Sequence, residues 1–155
     1  MKAILISIKP QWVAKILNGE KTIEIRKKFP KDFVGWVYIY CTKDKKYANL
    51  INRGGFLTGM VVARFWCDKV EEIKTDYAPR DNFFKECCLT PTELFDYIGH
   101  SKWYAIHITK LEIFDKPKEL NEFVPYRLSQ SNYKPFPICD FRLTNASQSW
   151  QYVEV

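Results

Sequence analysis

The sequence contains no long apolar run. None of its hydrophobic stretches approaches the roughly 20 residues that cross a bilayer, and its first residues lack a long apolar segment that ends at a small-residue cleavage site. Membrane spans and secretion signals are therefore not predicted. We expect a soluble, cytoplasmic protein that does not bind membranes.

The chain is also poor in residues that hold metals and disulfides. It has only two histidines, His100 and His107, and its five cysteines include no C-x-x-C pair. An odd number of cysteines without paired spacing is not typical of a disulfide framework, and the histidines lack zinc-ligand spacing. We therefore expect no metal, no cofactor and reduced, buried thiols. A nucleophile at Cys87 or Cys88 with His100 as its base is the alternative, although adjacent cysteines before a helix are more often packing residues.

Length and charge point to one domain with a basic surface. With 155 residues, of which 46% are hydrophobic, the chain can bury one sizeable core, and we expect a single domain over residues 1–155. Of the formal net charge of +6, the excess lies at the start: residues 1–53 hold 12 Lys and Arg against 4 Asp and Glu, and the remainder holds 12 against 14. A surface that faces phosphates needs such a concentration of cations, although a merely solvated surface shows it too.

A short helix is predicted near the N-terminus. Residues 3–8 form an apolar run that predicts a strand, and residues 10–18 place their apolar side chains on one helical stripe. Pro10 suits the first turn of this helix, and Gly19 suits its C-terminal cap. The first 28 residues are therefore predicted to run strand, helix, strand.

The strand that follows this helix has one charged face. Alternation over residues 22–27 lets Ile23 and Ile25 enter a core, while Glu24 and Arg26 share the opposite face. That face therefore carries a carboxylate beside a guanidinium group. We expect any chemistry of the protein to lie here.

The remaining elements are predicted from similar patterns. Thr90-Pro91-Thr92-Glu93 is a capping-box pattern, which predicts a helix over residues 91–98. Residues 81–88 favour a shorter helix. Further strands are predicted at residues 36–42, 57–67, 102–113 and 149–153. The aromatics of the proline-rich stretch 124–142 either hold a long loop to the domain or stack on a base.

Several of these segments resemble the ASCH family. The run Leu5-Ile6-Ser7-Ile8-Lys9-Pro10, followed by Gly19-x-Lys21-x-x-Glu24-x-Arg26, is similar to the family's G-x-K-x-x-E-x-R pattern after the first helix. Small ASCH proteins of bacteria and their phages are similar also at Ala105-Ile106-His107-Ile108, Lys116-Pro117-Lys118-Glu119-Leu120 and Gln148-Ser149-Trp150-Gln151-Tyr152-Val153. The resemblance implies an α+β protein with a PUA-like mixed β-barrel and helices packed at its mouth. That fold is associated with RNA binding.

The first functional hypothesis is a nucleic-acid-binding module, for RNA or a modified nucleotide. The resemblance makes Lys21, Glu24 and Arg26 a ligand pocket in which the two cations bind an anion and Glu24 orients them. Further cations are expected to track the backbone of the ligand, namely Lys28, Lys43, Lys45 and Lys46. The alternative without a function is a surface ion pair between Glu24 and Arg26, worth about 0–1 kcal/mol. We expect a monomer by default.

The second hypothesis is a small amidohydrolase or nuclease that acts on a modified nucleoside or RNA. A related branch of the family resembles this chain at Gly19-x-Lys21 and hydrolyses the amide of acetylated cytidine with a lysine, a threonine three positions on and a later glutamate. Lys21 fills the lysine position, but Glu24 stands in the threonine position, and Glu86 lies only loosely near the later acid. A hydrolase would therefore need catalytic Lys21 and Glu24, with Glu24 as the base for a water and Lys21 or Arg26 stabilising the oxyanion.

Overall fold

The computed structural model describes residues 1–44, 46, 58–74, 80–126 and 142–155. Within these residues the strands are β1 (Lys2–Ile8), β2 (Ile23–Arg26), β3 (Gly35–Cys41), β4 (Val61–Cys67), β5 (Val70–Ile73), β6 (Trp103–His107), β7 (Thr109–Lys118), β8 (Val124–Pro125) and β9 (Trp150–Glu154). The helices are α1 (Pro10–Leu17), α2 (Phe83–Cys87) and α3 (Pro91–Ile98), and a short 3-10 helix covers Leu120–Glu122. The predicted α+β class is confirmed. The loop predicted at residues 124–142 lies outside the described residues except at its two ends.

The helices begin where local signals predict them. At α3 the Thr90 hydroxyl accepts a 3.2 Å hydrogen bond from the Glu93 amide, and the Glu93 carboxylate accepts a 2.8 Å bond from the Thr90 amide. This is the predicted capping box. α1 begins at Pro10, and Gly19 follows it with a φ of +82°, which suits glycine. In the described part of the chain, no helix combines the length and the apolar character needed to span a membrane.

The described strands form two open sheets. The larger sheet has the order β7-β4-β3-β1-β9-β8, and the smaller has the order β2-β6-β5. β1 lies at the centre of the larger sheet, parallel to β3 and antiparallel to β9. Neither sheet closes on itself among these strands, so the predicted barrel is not seen as a closed barrel in the described residues.

Two strand pairs bend together from one sheet into the other. β4 pairs with β7 in the larger sheet, while β5 pairs with β6 in the smaller one. The chain changes sheet at residues 68–69 on one side and at Ile108 on the other, where the His107 amide donates a 3.0 Å bond to the carbonyl oxygen of Lys69. Strands that pass between packed sheets turn at such corners. The single strand predicted over 102–113 is therefore two strands.

Buried side chains cover both faces of the larger sheet. One cluster packs β1, β3 and β4 against α1 and β6, and its members include Ile4, Ile6, Ile8, Val13, Ile16, Val37, Ile39, Phe65 and Ile106. The opposite face buries Leu5, Tyr38, Tyr40, Phe123, Leu143 and Val153. A third cluster, under the smaller sheet, joins Ile23, Ile25, Phe83, Leu94, Ile98 and Trp103. Each buried aliphatic or aromatic side chain of this size stabilises the fold by about 1.5–3 kcal/mol, and together they fix α1 and α3 against the sheets.

Candidate ligand-binding cavity

The charged face of β2 lines a cavity that lies between the helices and the ends of the two sheets. Ile23 and Ile25 are buried in the cluster with α2 and α3, as the alternation predicts. Glu24 and Arg26 therefore turn the other way. They line a cavity of about 1140 Å³, together with residues of α1, α3, the end of β1 and the start of β9. We call this the main cavity.

Lys21, Glu24 and Arg26 form a buried ion triad in the main cavity. One carboxylate oxygen of Glu24 lies 3.3 Å from Lys21 Nζ, and the other lies 3.1 Å from Arg26 Nη2. The three side chains are 3%, 8% and 11% exposed in sequence order. The surface ion pair considered above is therefore excluded as a description of this site. Two cations and one carboxylate leave the triad with a net positive charge.

The triad is anchored to backbone on two sides. Lys21 Nζ donates a 2.7 Å hydrogen bond to the carbonyl oxygen of Cys87, and Arg26 Nη2 donates one of 2.7 Å to the carbonyl oxygen of Ser7. The Nε atom of Arg26 is buried and has no hydrogen-bond partner among the described residues. A buried donor without a partner costs about 1–3 kcal/mol.

Aromatic side chains line the main cavity beside the triad. Lys21 Nζ lies 5.4 Å from the ring centroid of Trp12 on α1, and Trp150 Nε1 donates a 2.7 Å bond to the carbonyl oxygen of Lys28. Tyr97, on α3, lines the same cavity. Although 40% of Tyr97 is exposed, burial of its hydroxyl end raises the pKa of this side chain, an effect that nearby Arg26 partly opposes. The hydroxyl is therefore neutral at physiological pH and can donate or accept a hydrogen bond.

Exposed lysines surround the triad at the edge of the main cavity. Lys9, Lys27 and Lys28 line it and are exposed, whereas the acids Glu93 and Asp96 enter from α3. Of these lysines, only Lys28 was predicted as a ligand-binding residue. Lys9 and Trp150 lie in segments that carry the family resemblance, so the resemblance could have indicated them as cavity residues. Trp12 and Tyr97 look like ordinary residues of amphipathic helices, and no sequence signal distinguishes them.

The other predicted cations lie elsewhere. Lys43 lines a second cavity, of about 540 Å³. Lys46 is exposed, and its backbone amide donates a 2.9 Å bond to Asp44 Oδ1. Lys45 lies outside the described residues. The structure therefore brings Lys21, Glu24, Arg26 and Lys28 together in one cavity and leaves Lys43 and Lys46 apart from it.

Glu86, the residue considered for the later acid of a hydrolase, is not in the main cavity. Glu86 pairs with Arg80 at 2.5 Å and is not among the residues that line the cavity. The nucleophile considered at Cys87 is fully buried in the cluster under the smaller sheet, and that burial is the main cause of its raised pKa. His100 is exposed just beyond α3. A protonated, buried thiol is typical of a packing residue.

Comparison with known proteins identifies the fold. No protein-family model and no curated protein matches the chain. Among solved structures, the crystal structure of ASCH from Zymomonas mobilis shares 17% identity at a TM-score of 0.61, covering 98% of this chain and 87% of that one. Two mutants of the Zymomonas protein also match. One mutant shares 17% identity at a TM-score of 0.62, covering 99% of this chain and 91% of that one. The other mutant shares 16% identity at a TM-score of 0.61, covering 98% of this chain and 88% of that one. Over nearly its whole length, the chain has the fold of an ASCH domain.

Proposed function

We propose that this protein is a nucleic-acid-binding member of the ASCH family, which binds RNA or a modified nucleotide in the main cavity. The observation that carries the proposal is the buried triad of Lys21, Glu24 and Arg26, whose net charge is positive. We also propose that the two sheets are the counterpart of a PUA-like barrel, and that the protein acts as a single-domain cytoplasmic monomer.

The triad favours an anionic or oxygen-rich ligand. Lys21 has three N–H donors, of which two face Cys87 and Glu24. Arg26 adds a second cation, whose Nη2 lies 3.1 Å from Glu24. The cavity therefore offers a further Lys21 donor and a net positive charge at one place, which is what a phosphate or a base carbonyl requires.

The walls of the main cavity favour a base beside that anion. Stacking on an aromatic ring is worth about 1–3 kcal/mol per base, and Trp12, Tyr97 and Trp150 all line the cavity. A volume of about 1140 Å³ is sufficient for a nucleotide. We expect the exposed lysines at the edge of the cavity to meet the phosphates that flank the base.

The main cavity gives less support to the hydrolase hypothesis. A general base needs a carboxylate oxygen that can take a proton from water. Both oxygens of Glu24 already face cations, at 3.3 Å and 3.1 Å. Glu24 is therefore better suited to holding Lys21 and Arg26 in place than to activating a water.

The proposal is tested by the salt dependence of RNA binding. For single strands, a plot of the logarithm of the binding constant against the logarithm of the salt concentration has a slope of about −0.7 per neutralised phosphate. If Lys9, Lys27 and Lys28 each neutralise one phosphate, the slope is about −2, and the affinity falls roughly 20-fold between about 50 and about 200 mM salt. Replacing Lys27 and Lys28 by Gln should make the slope shallower, at about −0.7.

Lys116→Gln is the matched control, because Lys116 is exposed on β7 and does not line the main cavity. It should leave the slope unchanged. Charge reversal at Lys43, Lys45 and Lys46 tests whether these cations also track the backbone, and we expect it to weaken binding further. A salt-insensitive affinity, or an equal effect of the control, would indicate a small-molecule or protein ligand instead.

A further inference from the structure

A second cavity lies directly beside the main cavity. Its volume is about 540 Å³, and the two cavities share the lining residues Ser7, Thr42 and Gln148. Because the same three residues face both spaces, the two cavities are adjacent.

Ser7 is a fixed part of the wall between the cavities. Its carbonyl oxygen accepts the 2.7 Å bond from Arg26 on the main-cavity side. Its hydroxyl donates a 2.5 Å bond to the carbonyl oxygen of Ser147, and its amide donates a 2.9 Å bond to that of Ser149. All polar groups of Ser7 are thus engaged, so the spatial relation between the triad and the second cavity is held by hydrogen bonds.

The second cavity differs chemically from the main cavity. Its lining is rich in amides and hydroxyls, contributed by Asn121, Thr144, Asn145 and Gln148, among others. Its described lining residues include one lysine, Lys43, and one carboxylate, Glu119, whose backbone amide donates a 2.8 Å bond to Glu122 Oε1. Groups of this kind donate and accept hydrogen bonds without a large net charge, which suits ribose hydroxyls and base edges better than an isolated phosphate.

The lysine of the second cavity is supported along its stem. Lys43 passes so close to Gly59 that a Cβ at Gly59 would lie 2.8 Å from Lys43 Cε. Gly59 also has a φ of +81°, a conformation that glycine adopts without cost. The glycine therefore makes room for the lysine side chain, which places a cation beside the hydrogen-bonding groups.

We infer that the two cavities together bind two consecutive nucleotides of a single strand. One nucleotide occupies the main cavity against the triad, and its neighbour occupies the second cavity, where amides and hydroxyls bind it and Lys43 meets the backbone. This inference rests on the proposed function and narrows it, since a free nucleoside would fill only one of the two cavities. The ligand class is thus a short single-stranded segment.

The test compares ligands of different length on matched variants. Affinities are measured for a nucleoside monophosphate and for the dinucleotide that extends it, at one salt concentration. The wild type should bind the dinucleotide at least about tenfold more tightly, because binding to the second cavity adds hydrogen bonds. The double variant Asn121→Ala/Asn145→Ala should lose about tenfold for the dinucleotide and keep its affinity for the monophosphate within about twofold.

A main-cavity variant provides the comparison. Lys28→Gln should weaken both ligands by the same factor, because Lys28 lines only the main cavity. Asn121 and Asn145 are exposed, so their replacement should leave the thermal unfolding midpoint unchanged, and that midpoint is measured alongside. The same pair of ligands in deoxyribose form identifies the strand: weaker binding assigns RNA, and equal binding assigns either nucleic acid.

Two outcomes would overturn the inference. If the monophosphate and the dinucleotide bind equally, or if the double variant weakens neither, the second cavity takes no part and the proposed function stands alone. If neither ligand binds at any salt concentration, the proposed function fails as well. The two failures are therefore distinguishable.

Discussion

Lys21 Nζ lies 2.7 Å from the carbonyl oxygen of Cys87, the last residue of α2. The last carbonyl groups of a helix have no partner within it, and a cation beside them is favourable. Lys21 therefore donates a hydrogen bond to the C-terminal end of α2 and at the same time lies beside Glu24. The bond joins residues 66 positions apart in the chain, so the triad and the packing of α2 depend on each other.

The triad should contribute strongly to stability. Glu24→Gln leaves the cations of Lys21 and Arg26 buried without a counter-charge, and removing one partner of a buried pair costs about 3–5 kcal/mol. Because Gln keeps an acceptor oxygen, we expect a loss near the lower end, about 3 kcal/mol, in the free energy of unfolding measured with urea.

Glu112→Gln is the matched control for this substitution. Glu112 pairs with Arg64 at 2.7 Å, but its side chain is 47% exposed. Exposed pairs are worth less than about 1 kcal/mol. Equal losses in the two variants would mean that water screens the triad as it screens a surface pair.

The wild-type protein should not hydrolyse acetylated cytidine above background. Glu24 stands in the position of the threonine used by the related hydrolases, and its oxygens are engaged by Lys21 and Arg26. Product formation is followed by chromatography with wild type, Glu24→Gln and Lys21→Ala. Robust turnover that falls by about 10²–10⁴ in Glu24→Gln would make the protein an enzyme with Glu24 as its base. Turnover that is lost only in Lys21→Ala would move the base to Lys21.

The capping box of α3 supports the helix that carries Tyr97 into the main cavity. Thr90→Ala removes the hydroxyl that accepts the 3.2 Å bond from Glu93, and should lower the free energy of unfolding by about 1 kcal/mol. Thr92→Ala, two residues later on an exposed position, should have an effect within about 0.5 kcal/mol. Thermal unfolding of both variants checks the difference. Indistinguishable midpoints would show that the cap contributes nothing.

Burial of Cys41 predicts a loss of stability in alkali. Burial raises the pKa of this thiol from 9.0 to about 12, whereas the thiol of the unfolded chain ionises near 9.0. Because the folded-state pKa is the higher one, the stabilisation is complete below pH 9.0 and is lost as the pH rises toward about 12. At about pH 11 the loss reaches about 3 kcal/mol.

A comparison of wild type and Cys41→Ala at about pH 8 and about pH 11 isolates this effect. The variant should be the less stable protein at the lower pH, because it loses packing, and should recover relative to wild type by about 3 kcal/mol at the higher pH. Cys88→Ala, at a partly exposed position, serves as the control. A stability difference that does not change with pH would contradict the prediction.

Local signals in the sequence were sufficient for several elements. The capping box and Pro91 predict α3 over residues 91–98, and the structure has Pro91–Ile98. The alternation after Gly19 correctly places Ile23 and Ile25 in a core, with Glu24 and Arg26 on the other face. Helix caps and strand alternation depend on neighbouring residues only, which is why they can be read without the fold.

The break at Ile108 could not be predicted in this way. Residues 102–113 are continuous in their β-forming pattern, yet β6 and β7 belong to different sheets. The bend is set by the partner strands, which change sheet at residues 68–69. A pattern within one segment carries no information about which strand will pair with it.

Sequence patterns were sufficient to predict the helices and the two faces of β2, and the family resemblance indicated Lys21, Glu24 and Arg26. The fold was needed to show that these three side chains are buried together beside Trp12, Tyr97 and Trp150, and that Lys43 lies in a neighbouring cavity. These groups meet because α1, α3 and β9 pack around β2, and that packing depends on contacts between residues far apart in the chain.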